Sequence, residues 1–335
     1  MKRAPQRFRT GAGRTIYSFI VRSFPTLVNN IYIIKDGTQS ILVDCGSGME
    51  QANADLLAGF NDISETFDEP ITLADIDTIF ITHGHIDHFG GLPFVRRYTS
   101  APAGVHILDR RVLSNHEERV IIAYRRLETF LEGAGVVEKQ REALMSVYLF
   151  AKTYYRSTPV QFLLEEGQAT VGDIDVYHVP GHCPGQVCLK VDDILLTADH
   201  VLSRITPHQA PESITNHMGL GHYLDSLHKI EHLPGIRLGL GGHEDAIEDM
   251  PGRIRAIRSA HDERLGRVLD ICCQPKSIAE VSLELFGHVE SYHVLLALEE
   301  TGAHVEYLYQ RGELVAANLA EIEQTSRPVV RYARA

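Results

Sequence analysis

Hydrophobic positions along the chain fall into two kinds of pattern. Residues 16–23 and 30–34 are rich in Ile, Val, Tyr and Phe, and Lys35-Asp36-Gly37 turns the chain into 40–43, so the opening reads as β-rich. Residues 49–60 read as a helix. The run Thr78-Ile79-Phe80-Ile81-Thr82 predicts a strand apolar on both faces, as expected inside a layered α/β protein. Between 113 and 155, apolar residues such as Val120, Tyr124, Leu127, Leu131, Leu144, Val147, Tyr148 and Ala151 recur at three- and four-residue spacing. That spacing predicts a helical pair, split at 133–136. Strands are predicted at 160–164, 169–171, 174–179, 186–191 and 194–197, an amphipathic helix at 223–232 and a last strand at 236–240. Two β-rich blocks, each followed by helices, predict an α/β architecture of two sheets packed together with helices outside.

The pattern changes near Met250-Pro251-Gly252. Helices are predicted at 253–272, at 275–285 opened by Ser277, and at 291–301; a hairpin follows, with strands at 305–309 and 314–315 around Gln310-Arg311-Gly312-Glu313. Three helices and a hairpin make a winged-helix-like pattern. The expected organisation is therefore a main domain at 1–252, carrying a helical insertion at about 113–155, and a C-terminal domain at 253–335.

Composition narrows the function. The chain has 335 residues, 44% hydrophobic and 23% charged, close to ordinary globular usage. A net charge of -12 argues against general nucleic-acid binding, which depends on Lys and Arg at the phosphates. The C-terminal part, with ten basic and twelve acidic residues, offers a poor phosphate-binding face. No apolar core follows the basic start, and no run reaches the ~18 apolar residues of a membrane span, so neither a secretory signal nor a membrane partner is expected. Five cysteines, odd in number and without CxxC spacing, fit a reducing, cytoplasmic setting. Histidine stands out at 18 residues, and imidazole is both the commonest metal ligand and the usual acid/base near pH 7.

Four metal-competent side chains crowd into His83-x-His85-x-Asp87-His88, directly after the buried strand. Alternate residues of an extended chain point the same way, so His83 and His85 can grip one ion, while the turn allowed by Gly84, Gly90 and Gly91 can carry Asp87 and His88 towards a second. Three later segments end apolar strands with one ligand type among small residues: Pro180-Gly181-His182-Cys183-Pro184-Gly185, Leu195-Leu196-Thr197-Ala198-Asp199 and Leu240-Gly241-Gly242-His243-Glu244. Singly, each of these reads equally well as a structural His or Asp.

Taken together, HxHxDH, then His, Asp and His in order resembles the metallo-β-lactamase superfamily over roughly residues 16–250. The resemblance implies an αββα sandwich with the site at the shared edge of the sheets. It implies one metal held by His83, His85 and His182, a second by Asp87, His88 and His243, and Asp199 bridging them. The full ligand set resembles the binuclear hydrolases, with Cys183 expected to point away from the site. Tyr223-Leu224-Asp225-Ser226-Leu227 and His261-Asp262-Glu263-Arg264-Leu265 resemble the branch with a C-terminal winged helix. Gly241-Gly242-His243-Glu244 departs from that family's usual Pro-Gly-His-Gly.

The chemistry so implied is that of a metal-dependent hydrolase in which a bridging hydroxide attacks an ester, thioester or lactone carbonyl, with Asp87 orienting the nucleophile or accepting its proton. Two divalent ions are expected, with zinc first and iron or manganese as alternatives, since all accept such ligands. A phosphodiesterase or ribonuclease of the same fold is the alternative. Tyr223 is the candidate substrate or oxyanion contact, against the alternative that it packs in the core, and the partner is a small acyl substrate. His200 reads as a neighbour of Asp199 that supports it, contacts substrate or simply packs, and His261 with Arg264 as a tie between the tail and the main domain. The helical pair reads either as a roof over an acyl pocket or as a solvent-facing or homodimer-forming hairpin.

Overall fold

The long apolar runs near the start of the chain pair with one another. In the computed structural model, which describes residues 3–167 and 172–335, β1 (Gln6–Arg9), β2 (Thr15–Phe24), β3 (Leu27–Asp36) and β4 (Gln39–Val43) form an antiparallel meander. After α1 (Glu50–Phe67), β5 (Thr78–Phe80) joins β4 in parallel. The chain continues through α2 (Ile86–Phe89), α3 (Leu92–Val95), β6 (Ala103–Val105), α4 (Ile107–Ser114), α5 (His116–Gly133) and α6 (Glu138–Thr153) to β7 (Phe162–Leu163). β6 and β7 extend the same sheet in parallel, giving seven strands in sequence order. The strand expected at 169–171 lies outside the described residues.

A second sheet holds β8 (Asp175–His178), β9 (Val187–Val191), β10 (Ile194–Ala198) and, after α7 (Leu220–Glu231), β11 (Leu238–Gly241), in the order β11-β10-β9-β8. Ile34, Ile41, Val43 and Phe80 of the first sheet pack with Val176, Leu189, Leu196 and Leu240 of the second in one buried core. This is the layered arrangement the apolar strands predict. β5 is buried along its whole length, as a strand covered on both faces must be.

The chain divides into two units: Met1–His116, Ser157–Pro207 and Ser226–Ile254 form the first, and Glu117–Arg156, His208–Asp225 and Arg255–Ala335 the second. Each unit is discontinuous in the chain, and most of the helical pair clusters with the C-terminal segment. Within the second unit, Ala279 donates its N–H to the Ala134 carbonyl and Val330 to that of Gly133, joining the turn of the pair to the tail.

The tail carries α8 (Met250–Ile271), α9 (Ile278–Phe286), α10 (Tyr292–Gln310), β12 (Leu314–Ala316), α11 (Leu319–Gln324) and β13 (Tyr332–Arg334). Ser277 caps α9, accepting from Glu280 N while the Glu280 carboxylate accepts from Ser277 N. The strand expected at 305–309 is instead the end of α10. Thr301, Val305 and Leu308 extend the buried stripe begun by Leu298, and that helical spacing outweighs the β propensity of Val305 and Tyr307. β12 pairs with β13, far along the chain. His261 and Arg264 also depart from expectation: they tie α8 to α10, through His261 Nδ1 and His304 Nε2 at 3.1 Å and Arg264 with Glu300 at 2.6 Å. Among the described residues, no helix is long and apolar enough to cross a membrane.

Candidate functional site

Strand ends of the first unit converge on one spot. The chain leaves β5 through Thr82 and His83, reaches His85 as the N-cap of α2, and places Asp87 and His88 within that short helix. His182 lies in the loop after β8, Asp199 directly after β10 and His243 two residues after β11. His83, Asp87, His88, His182, Asp199 and His243 are buried and His85 is half-buried. Gly242 is required here: a Cβ on it would lie 2.3 Å from Asp199 Oδ1, so only glycine lets the His243 loop approach Asp199.

The donor atoms form two groups that share a carboxylate. In the first, His85 Nδ1 and His182 Nε2 are 3.0 Å apart, while Asp199 Oδ2 is 3.6 Å from His182 Nε2 and 4.0 Å from His83 Nε2. In the second, His88 Nε2 is 3.4 Å from Asp87 Oδ2 and 3.4 Å from Asp199 Oδ1; His243 Nε2 is 3.4 Å from Asp87 Oδ2 and 3.2 Å from Asp199 Oδ2. Ligand atoms around a tetrahedral ion with bonds of 2.0–2.1 Å are separated by about 3.3 Å. The second group has that spacing. His83 Nε2 and Asp199 Oδ1 have no hydrogen-bond partner among the described residues, although buried polar atoms are normally paired. The donor set therefore fits divalent cations.

A hydrogen-bond chain fixes the tautomers. Thr82 Oγ1 donates to Asp44 Oδ2, so it can only accept from His83 Nδ1 at 3.1 Å, leaving His83 Nε2 as a free lone pair. His88 Nδ1 meets Asp44 Oδ2 at 2.7 Å, and His243 Nδ1 donates to the Val28 carbonyl at 2.7 Å. Asp44, in the left-handed region at φ 63°, thereby orients a ring in each group. Neither Asp44 nor Asn29, whose Nδ2 donates to Asp87 Oδ2 at 2.9 Å, was among the residues expected from the sequence. Asp44 did carry a signal, an apolar strand ending in a carboxylate followed by Gly46 and Gly48. Asn29 carried none.

Electrostatics follow the same grouping. Burial would lower His88, but Asp199, Asp87 and Asp44 hold it well above the usual imidazole range. His243 is pushed up to about 10 in the same way, with Asp199 and Asp87 outweighing burial. Asp87 and Asp199 lie well below the carboxylate range, since His88 and His243 outweigh the burial that would raise them. His83, by contrast, is pulled down by burial and by the neighbouring His88 and His85. Positive charge is thus strongly favoured where the two carboxylates meet the imidazoles.

Other side chains near the site or expected at it are committed elsewhere or placed differently. Cys183 does not point away: its Sγ lies within 4.8 Å of a ring nitrogen of each of His83, His85 and His182, because the tight turn after His182 folds the next side chain back under the same site. His200 is fully buried, hydrogen-bonded to the Ser226 backbone and pulled down to about 3 by burial. Ser47 is also buried and donates to the Ser23 carbonyl at 2.6 Å, so its hydroxyl is committed to the scaffold. Tyr223 belongs to the second unit, fully buried with its ring edge-on to His261. His222 pairs with Glu212 there at 3.2 Å.

Comparison with known proteins agrees with this geometry. A family profile described as the metallo-beta-lactamase superfamily matches residues 25–243. The atrochrysone carboxyl ACP thioesterase of Aspergillus fumigatus is 27% identical over 251 residues, 72% of this chain and 58% of that protein, so the chain spans little more than half of this relative. The lactamase-like protein aptB of Emericella nidulans is 26% identical over 273 residues, 78% of this chain and 69% of that protein. Among solved structures, a metallo-beta-lactamase family protein of Thermus thermophilus superposes with a TM-score of 0.74 at 27% identity, covering 96% of this chain and 98% of that one.

Proposed function

Since the chain belongs to the metallo-β-lactamase superfamily, we propose that it is a metal-dependent hydrolase of carboxylic thioesters, esters or lactones, with an acyl thioester as the preferred substrate. The observation that supports the two-metal form of this reading is the Asp199 carboxylate, which lies against both donor groups: Oδ2 faces His182, His83 and His243, and Oδ1 faces His88. His83, His85 and His182 would hold one divalent ion, Asp87, His88 and His243 a second, and Asp199 would serve both. Zinc is the ion proposed. When bound, such a pair polarises an acyl carbonyl and supplies a hydroxide nucleophile at neutral pH.

The chain's own residues prepare that chemistry. Asp44 and the Val28 carbonyl present the imidazole lone pairs of His83, His88 and His243 towards the carboxylates. Asn29 holds the Asp87 carboxylate from the side, so Asp87 can orient the nucleophile or take up its proton without swinging away. Residues 253–335, where α8, α9 and α10 precede the antiparallel β12–β13 pair, are read as a winged-helix-like tail. With a net charge of -12 and an acidic tail, a small acyl compound is favoured over nucleic acid. None of the five cysteines is in a disulfide, in keeping with a reducing, cytoplasmic setting.

The thioester preference draws on the similarity to the Aspergillus thioesterase. It is tested by initial rates on a panel of acyl thioesters, lactones and bis(4-nitrophenyl) phosphate. Thioesters should give the highest kcat/KM, and phosphodiester hydrolysis dominating the panel would overturn the assignment.

A further inference from the structure

Beneath the first donor group lies a carboxylate that the chemistry above does not use. Asp109, in the first turn of α4, is fully buried. Its Oδ2 accepts from Gly84 N at 2.7 Å, and its Oδ1 accepts from Gly185 N at 2.9 Å. Gly84 separates His83 from His85, and Gly185 follows His182 by three residues. One side chain therefore grips both loops that carry the three imidazoles of the first group.

The surrounding construction is consistent with a clamp. A Cβ on Gly185 would lie 2.6 Å from Asp109 Cγ, and one on Gly84 3.2 Å from it, so both glycines keep the backbone close to the carboxylate. His106 N-caps α4, accepting from Leu108 N, and its ring stacks on His178 at 3.9 Å. His178 Nε2 donates to the Pro184 carbonyl at 2.8 Å, beside Gly185. The helix that presents Asp109 and the loop that Asp109 holds are thus braced against each other.

We propose that Asp109 is a positioning residue for the metal centre: its bidentate bridge between loops 83–85 and 182–185 sets the spacing of His83, His85 and His182. The inference rests on the ligand assignment proposed above. The second group is held differently, His88 and His243 being oriented by Asp44 and the Val28 carbonyl. Replacing Asp109 by Asn leaves a single acceptor oxygen, which can serve only one of the two loops. Loosening should then fall on the first ion and spare the second.

The test is a chelator-competition titration of the full chain with zinc, paired with visible absorption of the cobalt-substituted protein. His85→Ala and His243→Ala serve to assign the two sites. In Asp109→Asn, affinity at the first site should fall about 10- to 100-fold, as losses behind metal ligands typically do, with the second site within about threefold of wild type. Asp109→Glu, which keeps both acceptor oxygens, should lose less. A folded Asp109→Asn protein with both affinities unchanged overturns the inference. So does an equal loss at both sites, which would mark general destabilisation; should Asp109→Asn fail to fold, Asp109→Glu is judged by the same criterion. Wild-type protein that binds no zinc overturns the ligand assignment itself, and the inference with it.

Discussion

Asp44 adopts φ 63°, a conformation that costs a non-glycine residue roughly 1 kcal/mol or more, and the hydrogen bonds it accepts from Thr82 and His88 hold it there. Because it orients a ring in each donor group, Asp44→Asn should weaken metal binding at both sites by about 10- to 100-fold. Isothermal titration with zinc would show this, and an unchanged isotherm would remove Asp44 from the centre. The contrast with Asp109→Asn, expected to affect one site, separates the two carboxylates. At this scale the sequence was most legible where chemistry is dense: HxHxDH and the three strand-end ligands are unusual residue types in unusual places. Asp109 and Asn29 were not legible, because a carboxylate on a helix and an amide on a strand become site residues only through contacts far along the chain. Cys183 departs from expectation because adjacency to His182 does not tell which way a side chain turns.

Helices and strands followed the hydrophobic pattern wherever the period was sustained. The Ile-, Val-, Tyr- and Phe-rich runs of β2 and β3 and the double-sided burial of β5 came through, whereas the short strands β1, β6 and β13 did not. The end of α10 shows the limit of local propensity. Val305 and Tyr307 favour strand in isolation, but Leu298, Thr301, Val305 and Leu308 lie on one buried helical face. At α9, the helix expected to open at Ser277 does so, through a formed capping box with Glu280. Ser277→Ala should therefore cost about 1 kcal/mol of stability in urea unfolding while leaving metal content unchanged. A loss of metal in that variant would contradict the separation of the cap from the centre.

For the whole molecule, sequence order does not give the two units, because the helical pair clusters with the tail although residues 157–207 and 226–254 of the first unit follow it in the chain. The second unit carries its own pH signature. Burial would lower His208, but hydrogen bonds and charge from Glu299 and Glu300 raise it to about 9. A pKa raised above the unfolded value of about 6.5 means stabilisation that is complete below pH 6.5 and lost as pH climbs through about 9. His208→Gln should thus destabilise by ~1–3 kcal/mol at pH 6, with the deficit shrinking as pH rises past 9. Urea unfolding at several pH values measures this, and a pH-independent deficit would count against the ionised pair.

The molecule as a whole also gives meaning to its histidine excess. Five of the 18 histidines meet Asp87 and Asp199 at one sheet edge, and they do so only because both sheets deliver their strand ends there. The proposed function stands on this edge binding two ions through a shared carboxylate. Metal analysis of the purified full chain, with its Asp199→Ala variant alongside, tests it most directly. The wild type should hold close to two ions per chain, as a two-metal hydrolase does, and the variant clearly fewer. A single stoichiometric ion, retained unchanged in Asp199→Ala, would contradict it.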